Sequence, residues 1–198
     1  MDALKEAKVL YSTCFFITAN FDALISVGKY ALESNKPMGL NLSATFLIQF
    51  EGDKVREALE YADIVFANED EADYFGKYNN IDNTKNRTEI AKAIAKWPKK
   101  NSKRPRHAIV TQGPLNVILA STSLENDDVT IQEFEVPALK KDELLDTNGA
   151  GDSFVGAFLA MYAQDKDLAT CIKAGIYLSR EVVMLNGCTF PAENKFEA

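Results

Sequence analysis

Short apolar segments alternate with helical segments along the first 113 residues, and this order constrains the fold more than any other feature. The strand-like segments are Val9–Ile17, Met38–Leu42, Ile64–Ala67 and Ala108–Val110. Between them, apolar residues recur at helical spacing, and Asn20 is placed to cap the first of the helices. A repeated strand–helix order predicts an α/β fold with a mostly parallel central sheet and helices on both faces.

The pattern changes after Gly113. Val117–Ala120 and Val129–Val136 have the composition of two strands, and the polar segment Ser121–Asp128 separates them. This order predicts an antiparallel extension of the sheet. Two helices are predicted to close the chain, over about Gly151–Tyr162 and Leu168–Leu185.

Charge and composition exclude several classes of function. The net charge of −7 argues against nucleic-acid binding, although a single phosphate group needs only a few local donors. The three cysteines are far apart, which predicts a reducing compartment. His107 is the single histidine, so a zinc site is not expected. No apolar run is long enough to span a membrane, and the first residues do not resemble a signal peptide. The cytoplasm is therefore the predicted compartment, with the nucleus as a second one.

Polar residues follow the predicted strands at the points where each strand ends. Asn41 and Ser43 follow one strand, Asn68 follows the next, and Thr111–Gly113 follow a third. Open parallel sheets bind ligands beyond the carboxyl ends of their strands. The sequence therefore predicts a ligand site along this edge of the sheet.

The segment Asp146–Phe154 carries the strongest chemical signal: Asp-Thr-Asn-Gly-Ala-Gly-Asp-Ser-Phe. Phe154, Phe158 and Tyr162 are spaced four residues apart, which predicts a helix that begins near Gly151. Glycines allow a tight turn and a close approach of the backbone to a ligand. Free N–H groups at the start of a helix favour anions, so this segment is suited to holding phosphate oxygens.

Asp152 is unexpected in an anion site, because its carboxylate would repel a phosphate. Its presence is explained if it accepts a proton from an attacking hydroxyl in phosphoryl transfer, while the glycine turn neutralises charge. The residues alone leave an ordinary helix start open as an alternative, since Asp and Ser are favoured at helix N-termini and Gly is frequent in turns.

The segment Asp146–Gly156 resembles the C-terminal signature of the ribokinase-like (PfkB) carbohydrate and nucleoside kinases. Four further features are similar to the adenosine kinases of that family, namely the Asn148 form of the signature, the tail Gly187–Pro191, and the segments Asn41–Ala44 and Phe15–Thr18. The similarity runs from about Glu6 to the C-terminus.

The resemblance implies a large α/β domain with a small β lid and transfer of the ATP γ-phosphoryl group to a hydroxyl with Mg²⁺. For the adenosine kinases, the acceptor is the 5′-hydroxyl of adenosine and the product is AMP, a step of purine salvage. By the family motif, Asp152 matches the general base. Gly149, Ala150 and Gly151 match the anion hole that stabilises the transferring phosphoryl group.

Other residues receive roles by the same resemblance. Asn68 and Glu71 match an Asn-x-x-Glu motif that organises Mg²⁺ and phosphate, partly through water; the same two residues also form a near capping box, and the roles can coexist. The residues assigned to nucleotide binding are Asn41, Asn68, Thr111, Gly113 and Asn148. Asp146 is assigned to a possible monovalent cation site, and for the nucleotide-binding positions an ordinary strand end or turn is the alternative.

Two features fit the resemblance less directly. Ile176 stands where adenosine kinases often carry a histidine near the purine. Five basic residues cluster at Lys99, Lys100, Lys103, Arg104 and Arg106, and the polar residues and proline between them predict a solvated loop.

The family's lid, its N-terminal strands, its sugar-binding aspartate and its Gly-Gly hinge are not visible in this sequence. Residues 1–198 are therefore interpreted as the C-terminal ATP-binding part of the large domain, N-terminally incomplete and without the lid. The alternatives are a catalytically inactive nucleotide-binding fragment and a sugar kinase of the same family; Asn148 and the tail disfavour the latter. A truncated sheet would expose an unpaired edge, so the isolated chain is expected to be aggregation-prone or oligomeric, although the sequence does not define an oligomeric state.

Overall fold

A computed structural model describes residues 2–81, 86–126, 128–140, 142–193 and 195–197. The strands are β1 (Leu10–Thr13), β2 (Met38–Asn41), β3 (Ile64–Ala67), β4 (His107–Gln112), β5 (Leu115–Thr122) and β6 (Val129–Phe134). The helices are α1 (Asp2–Glu6), α2 (Phe15–Ser34), α3 (Thr45–Leu59), α4 (Glu69–Tyr78), α5 (Arg87–Ala95), α6 (Ala150–Tyr162) and α7 (Leu168–Val183).

The strands form one six-stranded sheet in the order β1-β2-β3-β4-β5-β6. The first four strands are parallel, with Leu40 opposite Val65 and Val65 opposite Ala108. Thr122 at the end of β5 donates its N–H to the carbonyl of Arg106, just before β4, so these two strands run antiparallel. The predicted α/β fold, mostly parallel with an antiparallel extension, is confirmed.

The chain divides into two compact units. The first comprises Met1–Gly113 and Val117–Glu133, and the second comprises Pro114–Asn116 and Phe134–Ala198. The first unit has its core around the parallel strands, where β3 is buried along its whole length. Burial of both faces is expected for parallel strands that lie between helices. In the second unit, α6 and α7 pack on each other, with Phe154 of α6 filling the space beside Gly175 of α7.

One predicted strand is wrong in its second half. Val9–Ile17 was expected to be one strand, but β1 ends at Thr13 and α2 begins at Phe15. The N–H of Cys14 donates to the carbonyl of Asn41, and the N–H of Ile17 then donates to the carbonyl of Cys14, which starts the helical turn. Tertiary context overrides the strand preference of the aromatic pair here.

Asn20 caps the longer part of α2, as the sequence predicts. Its backbone is non-helical inside the helix, at φ −163° and ψ 90°. Its Oδ1 accepts a hydrogen bond of 3.0 Å from the N–H of Ala23. The helix therefore bends at Asn20, with a new helical start after it.

The prediction of a solvated loop is wrong for two residues of the basic cluster. Arg106 is only 1% exposed, and Lys99 forms an ion pair of 2.5 Å with the buried carboxylate of Asp63. The Arg106 guanidinium donates to the backbone carbonyls of Leu59, Ala62, Ile94, Trp97 and Pro98. These carbonyl groups lie at and just after the ends of α3 and α5, so the guanidinium ties the two helix ends together. The pattern of charge alone carried no sign of this burial.

Candidate active site

In the first unit, the carboxyl end of β2 is organised around Asn41. Its Oδ1 accepts a hydrogen bond of 3.0 Å from the N–H of Ser43, and its carbonyl accepts one of 2.8 Å from the N–H of Cys14. Ser43 has a left-handed backbone, at φ 68°, and its hydroxyl donates to the same Asn41 carbonyl at 2.9 Å. An amide oxygen only accepts, so Nδ2 is the group through which Asn41 can donate to a ligand.

At the carboxyl end of β3, Asn68 and Glu71 form a complete capping box at the start of α4. The Asn68 Oδ1 accepts from the Glu71 N–H at 2.8 Å, and the Glu71 Oε2 accepts from the Asn68 N–H at 3.0 Å. The Glu71 Oε1 accepts from the Asn68 Nδ2, also at 3.0 Å. The structural role that the sequence left open is therefore present, and it holds both side chains in one orientation.

Glu71 is a buried carboxyl group, only 5% exposed. Burial raises the pKa of Glu71 above its ordinary value, while hydrogen bonds from the backbone of Asn68 and Ser43 oppose that shift. Burial likewise raises the pKa of the neighbouring Cys14 thiol, with a smaller contribution from the Glu71 charge. Asn41, Ser43, Asn68 and Glu71 are thus brought together at one edge of the sheet.

The donor set of this edge fits a Mg²⁺ ion held through water. Both oxygens of Glu71 already accept hydrogen bonds from Asn68. Across the described ranges of the chain, no group of three or more His, Cys, Asp or Glu side chains is placed to hold a metal ion. Mg²⁺ commonly keeps several waters and binds through one or two carboxylates together with substrate phosphates.

The turn after β4 lies beside the start of α4. The hydroxyl of Thr111 donates to the carbonyl of Ala67, at 3.4 Å. Gly113 has a left-handed backbone, at φ 55°, and a Cβ at this position would lie 3.5 Å from the Glu69 Oε1. The two predicted nucleotide-binding residues of this turn therefore lie at the same sheet edge as Asn68.

Sequence reasoning missed Arg87, which holds this turn from the side. Its guanidinium makes a two-point contact with Asp73, at 3.0 and 2.9 Å, and donates to the Gln112 Oε1 at 3.3 Å. The hydrogen bond to Asp73 is the main reason why the pKa of Arg87 lies above its ordinary value. An arginine at the first position of a helix gives no signal of such a contact in the sequence.

In the second unit, the predicted anion hole is a tight turn that opens α6. Gly149 is the N-cap, with a left-handed backbone at φ 80°, and α6 begins at Ala150. The carbonyl of Gly149 accepts from the N–H of Ser153 at 2.8 Å and from its hydroxyl at 2.7 Å. Since Ser153 donates the first bond inside the helix, the N–H groups of Gly151 and Asp152 have no partner within it.

Gly151 and Asp152 both face open space. A Cβ at Gly151 would meet no atom within 4 Å, so the fold does not require glycine there. Asp152 is exposed and lies in the first turn of α6. The start of α6 thus leaves room for a ligand. It combines an exposed carboxylate, free N–H groups and a glycine that packing does not require.

Asp146 accepts hydrogen bonds from two separate backbone groups. Its Oδ1 accepts from the N–H of Asn148 at 2.9 Å, and its Oδ2 accepts from the N–H of Gly187 at 3.2 Å. The carboxylate therefore fixes the turn that leads to Gly149. The cation site at Asp146 stays a prediction. Ile176 is buried on α7, and a place for it near a purine also stays a prediction.

No helix in the part of the chain that the structure describes has the length and apolarity to cross a membrane.

Residues 1–195 match the family model described as pfkB family carbohydrate kinase. The chain is 39% identical over 189 residues to the adenosine kinase of Dictyostelium discoideum, covering 96% of this chain and 53% of that protein. It is 35% identical to adenosine kinase 2 of Arabidopsis thaliana, covering 98% of this chain and 54% of that protein. The chain spans about half the length of the curated relatives that it matches.

Solved structures show the same fold. Anopheles gambiae adenosine kinase in complex with P1,P4-di(adenosine-5) tetraphosphate superimposes with a TM-score of 0.91 and 40% identity, covering 98% of this chain and 56% of that one. Schistosoma mansoni adenosine kinase in complex with adenosine and AMP gives a TM-score of 0.86 and 30% identity, with 98% and 56% covered.

Proposed function

This chain belongs to the pfkB family of carbohydrate kinases, and we propose that it forms the ATP-binding and catalytic part of an adenosine kinase. The proposed reaction transfers the γ-phosphoryl group of ATP to the 5′-hydroxyl of adenosine and gives AMP and ADP. The named adenosine kinases among its relatives and structural neighbours support this acceptor.

One observation carries the catalytic part of the proposal. Asp152 is exposed in the first turn of a helix whose preceding residue, Gly151, is a glycine that the fold does not need. A Cβ at this position would meet no atom within 4 Å, so the start of α6 is open on this side. We infer that a ligand approaches the backbone here.

The proposed chemistry follows from these groups. Asp152 accepts the proton of the 5′-hydroxyl as that oxygen forms a bond to the γ-phosphorus. The bond from the γ-phosphorus to the bridging oxygen breaks, and ADP leaves with the electron pair. The backbone N–H groups of Gly149, Ala150 and Gly151 stabilise the negative charge on the transferring phosphoryl oxygens.

The first unit supplies the second part of the proposal. Asn41, Asn68, Thr111, Gly113 and Asn148 are proposed to bind the nucleotide. Mg²⁺ is proposed to neutralise the phosphate charge when bound. Glu71, whose oxygens already accept hydrogen bonds, would contact it through water.

Two lesser proposals accompany the reaction. Asp146, which already accepts hydrogen bonds from two backbone N–H groups, is proposed as the carboxylate of a monovalent cation site. The cytoplasm is the proposed compartment.

A nucleotide-binding module without catalysis is the second candidate. It is favoured by the coverage of about half of each relative, because the acceptor is expected to contact residues outside the matched region. A sugar kinase is a third candidate within the family that the model describes.

An acceptor panel separates the three candidates. The chain is incubated with ATP and Mg²⁺ and with adenosine, ribose or fructose, and ADP formation and the phosphorylated product are measured. We expect AMP with adenosine and no product with either sugar. Product with a sugar alone would contradict the proposed acceptor. An ATP-dependent rise in melting temperature without any product would favour the non-catalytic module.

A further inference from the structure

The turn before α6 is in contact with the C-terminal tail at one residue. A Cβ placed on Gly149 would lie 2.4 Å from the Sγ of Cys188, 3.4 Å from its Cβ and 3.8 Å from its Cα. The Sγ of Cys188 therefore lies where a side chain on Gly149 would be, with the Cβ and Cα of Cys188 behind it. This contact is on the side of Gly149 where any other residue would carry its side chain.

Asp146 joins the same two segments by its carboxylate. One oxygen accepts from Asn148, next to Gly149, and the other accepts from Gly187, next to Cys188. Gly187 has a left-handed backbone, at φ 72°. The N–H groups of Leu145 and Asp146 also donate to the carbonyl of Val183, at 2.9 and 3.3 Å. The turn is thus tied to the end of α7 and to the tail.

The turn is held on one side by Ser153, whose N–H and hydroxyl both donate to the Gly149 carbonyl. Ala150 donates to the carbonyl of Thr147 at 3.3 Å, a long bond, and Gly149 has no side chain. Glycine is free to leave the left-handed region, so the φ of Gly149 depends on the contacts that the turn makes with its surroundings. Cys188 packs on it at the point where the direction of the first N–H groups of α6 is decided.

We propose that Cys188 is a positioning residue for the turn from Gly149 to Asp152, and that Asp146 links the Cys188 segment to that turn. The thiol touches neither Asp152 nor the proposed path of the phosphoryl group. It acts through Gly149, by holding the N–H groups and the carboxylate at the start of α6 in one orientation. The expected effect on catalysis rests on the proposed function.

The test uses Cys188→Ala, with Cys188→Ser as the conservative variant and Thr189→Ala as the matched control. Cys188 is exposed, so its truncation leaves no sealed cavity and the fold should persist. Thr189 is the next residue of the same tail, and its hydrogen bonds go to Gly187 and Asn186. It is therefore matched in position without the contact to Gly149.

Two measurements are made. In the first, kcat and KM for ATP are determined well below the melting temperature. We expect Cys188→Ala to lower kcat roughly tenfold with KM changed less than about twofold, since small misplacements of reacting groups are costly. Cys188→Ser should restore most of kcat, and Thr189→Ala should resemble the unchanged chain. Equal kcat in all four proteins would overturn the proposal.

The second measurement does not depend on turnover. Hydrogen exchange of the Ser153 amide, which bonds to the Gly149 carbonyl, is followed by NMR without ligand. We expect faster exchange in Cys188→Ala than in Thr189→Ala at matched global stability. Unchanged exchange would overturn the positioning role even if the chain has no kinase activity. Faster exchange in a chain without turnover would instead count against the proposed function alone.

Discussion

The two units prepare their polar residues in opposite ways. At the sheet edge of the first unit, Asn41, Asn68 and Glu71 already hold one another or the neighbouring backbone. At the start of α6 in the second unit, Asp152 is exposed and the first N–H groups have no partner within the helix. The first region is fixed by internal hydrogen bonds before any ligand arrives. In the second region the donors and the carboxylate are open to solvent.

This difference distinguishes residues that also stabilise the protein from residues whose only proposed role is on a ligand. Substitutions in the first region should change both stability and binding, because the same hydrogen bonds serve both. Substitutions of Gly151 and Asp152 should change activity and leave stability nearly unaltered.

The largest expected effect is that of Asp152→Asn. Loss of a general base should lower kcat by about 10²–10⁴-fold, with little change in melting temperature. Asp22→Asn is the matched control, since Asp22 is also an exposed aspartate in the first turn after a helix cap. Steady-state kinetics and thermal melts of both variants check the prediction. A kcat of Asp152→Asn within twofold of the unchanged chain would show that Asp152 is not the general base.

The next effect concerns His107, in the first unit. Burial, and to a smaller extent the nearby Lys99 charge, lower the pKa of His107 from 6.5 to about 4. Between these values the unfolded chain binds more protons than the folded one, so the free energy of unfolding should rise with pH. The contribution is complete above about pH 6.5, is lost as the pH falls through about 4, and is on the order of 3 kcal/mol in full.

Urea unfolding between pH 5.5 and 7.5 measures this slope in the unchanged chain and in His107→Gln. His107 is the single histidine, so the variant should lose that part of the slope that falls in this range. Identical pH dependence in the two proteins would show that the imidazole is not held neutral by burial.

A pair of glycine substitutions should divide stability from activity. Gly149→Ala places a side chain at φ 80° and against Cys188, and should cost roughly 1–3 kcal/mol of folding free energy. Gly151→Ala meets no atom and should leave the free energy of unfolding nearly unchanged. Its methyl group should nevertheless lower kcat/KM for ATP roughly tenfold, by obstructing the approach to the backbone donors.

Chemical denaturation and kinetics of both glycine variants test this division. If Gly151→Ala were destabilised as much as Gly149→Ala, or were fully active, the interpretation of Gly151 as a ligand-facing position would be wrong.

The smallest expected effect compares two helix caps. Asn68 caps α4 at the site, and Asn86 caps α5 by accepting from the N–H of Thr88 at 3.1 Å. Each alanine variant should lose about 1 kcal/mol of stability. Only Asn68→Ala should also weaken ATP binding, as measured by titration calorimetry. Equal binding by the two variants would reduce Asn68 to a structural cap.

The strands, most of the helices and the site edge could be predicted because they depend on local periodicity. Apolar runs gave β3 at its observed bounds, and Phe154, Phe158 and Tyr162 placed α6 to within a residue. The capping box of Asn68 and Glu71 was equally local. What failed was long-range: the burial of Arg106 and the contact of Cys188 with Gly149 join residues that only the folded chain brings together.

The turn before α6 is proposed to receive the phosphates of ATP, and the catalytic role of Asp152 depends on it. Titration of the ¹⁵N-labelled chain with Mg²⁺ and a non-hydrolysable ATP analogue, followed by amide chemical shifts, tests this without requiring turnover. We expect large, saturable shifts at the amides of Gly149, Gly151 and Asp152. Saturable shifts at Asn68 and Gly113 with none at these three amides would contradict it.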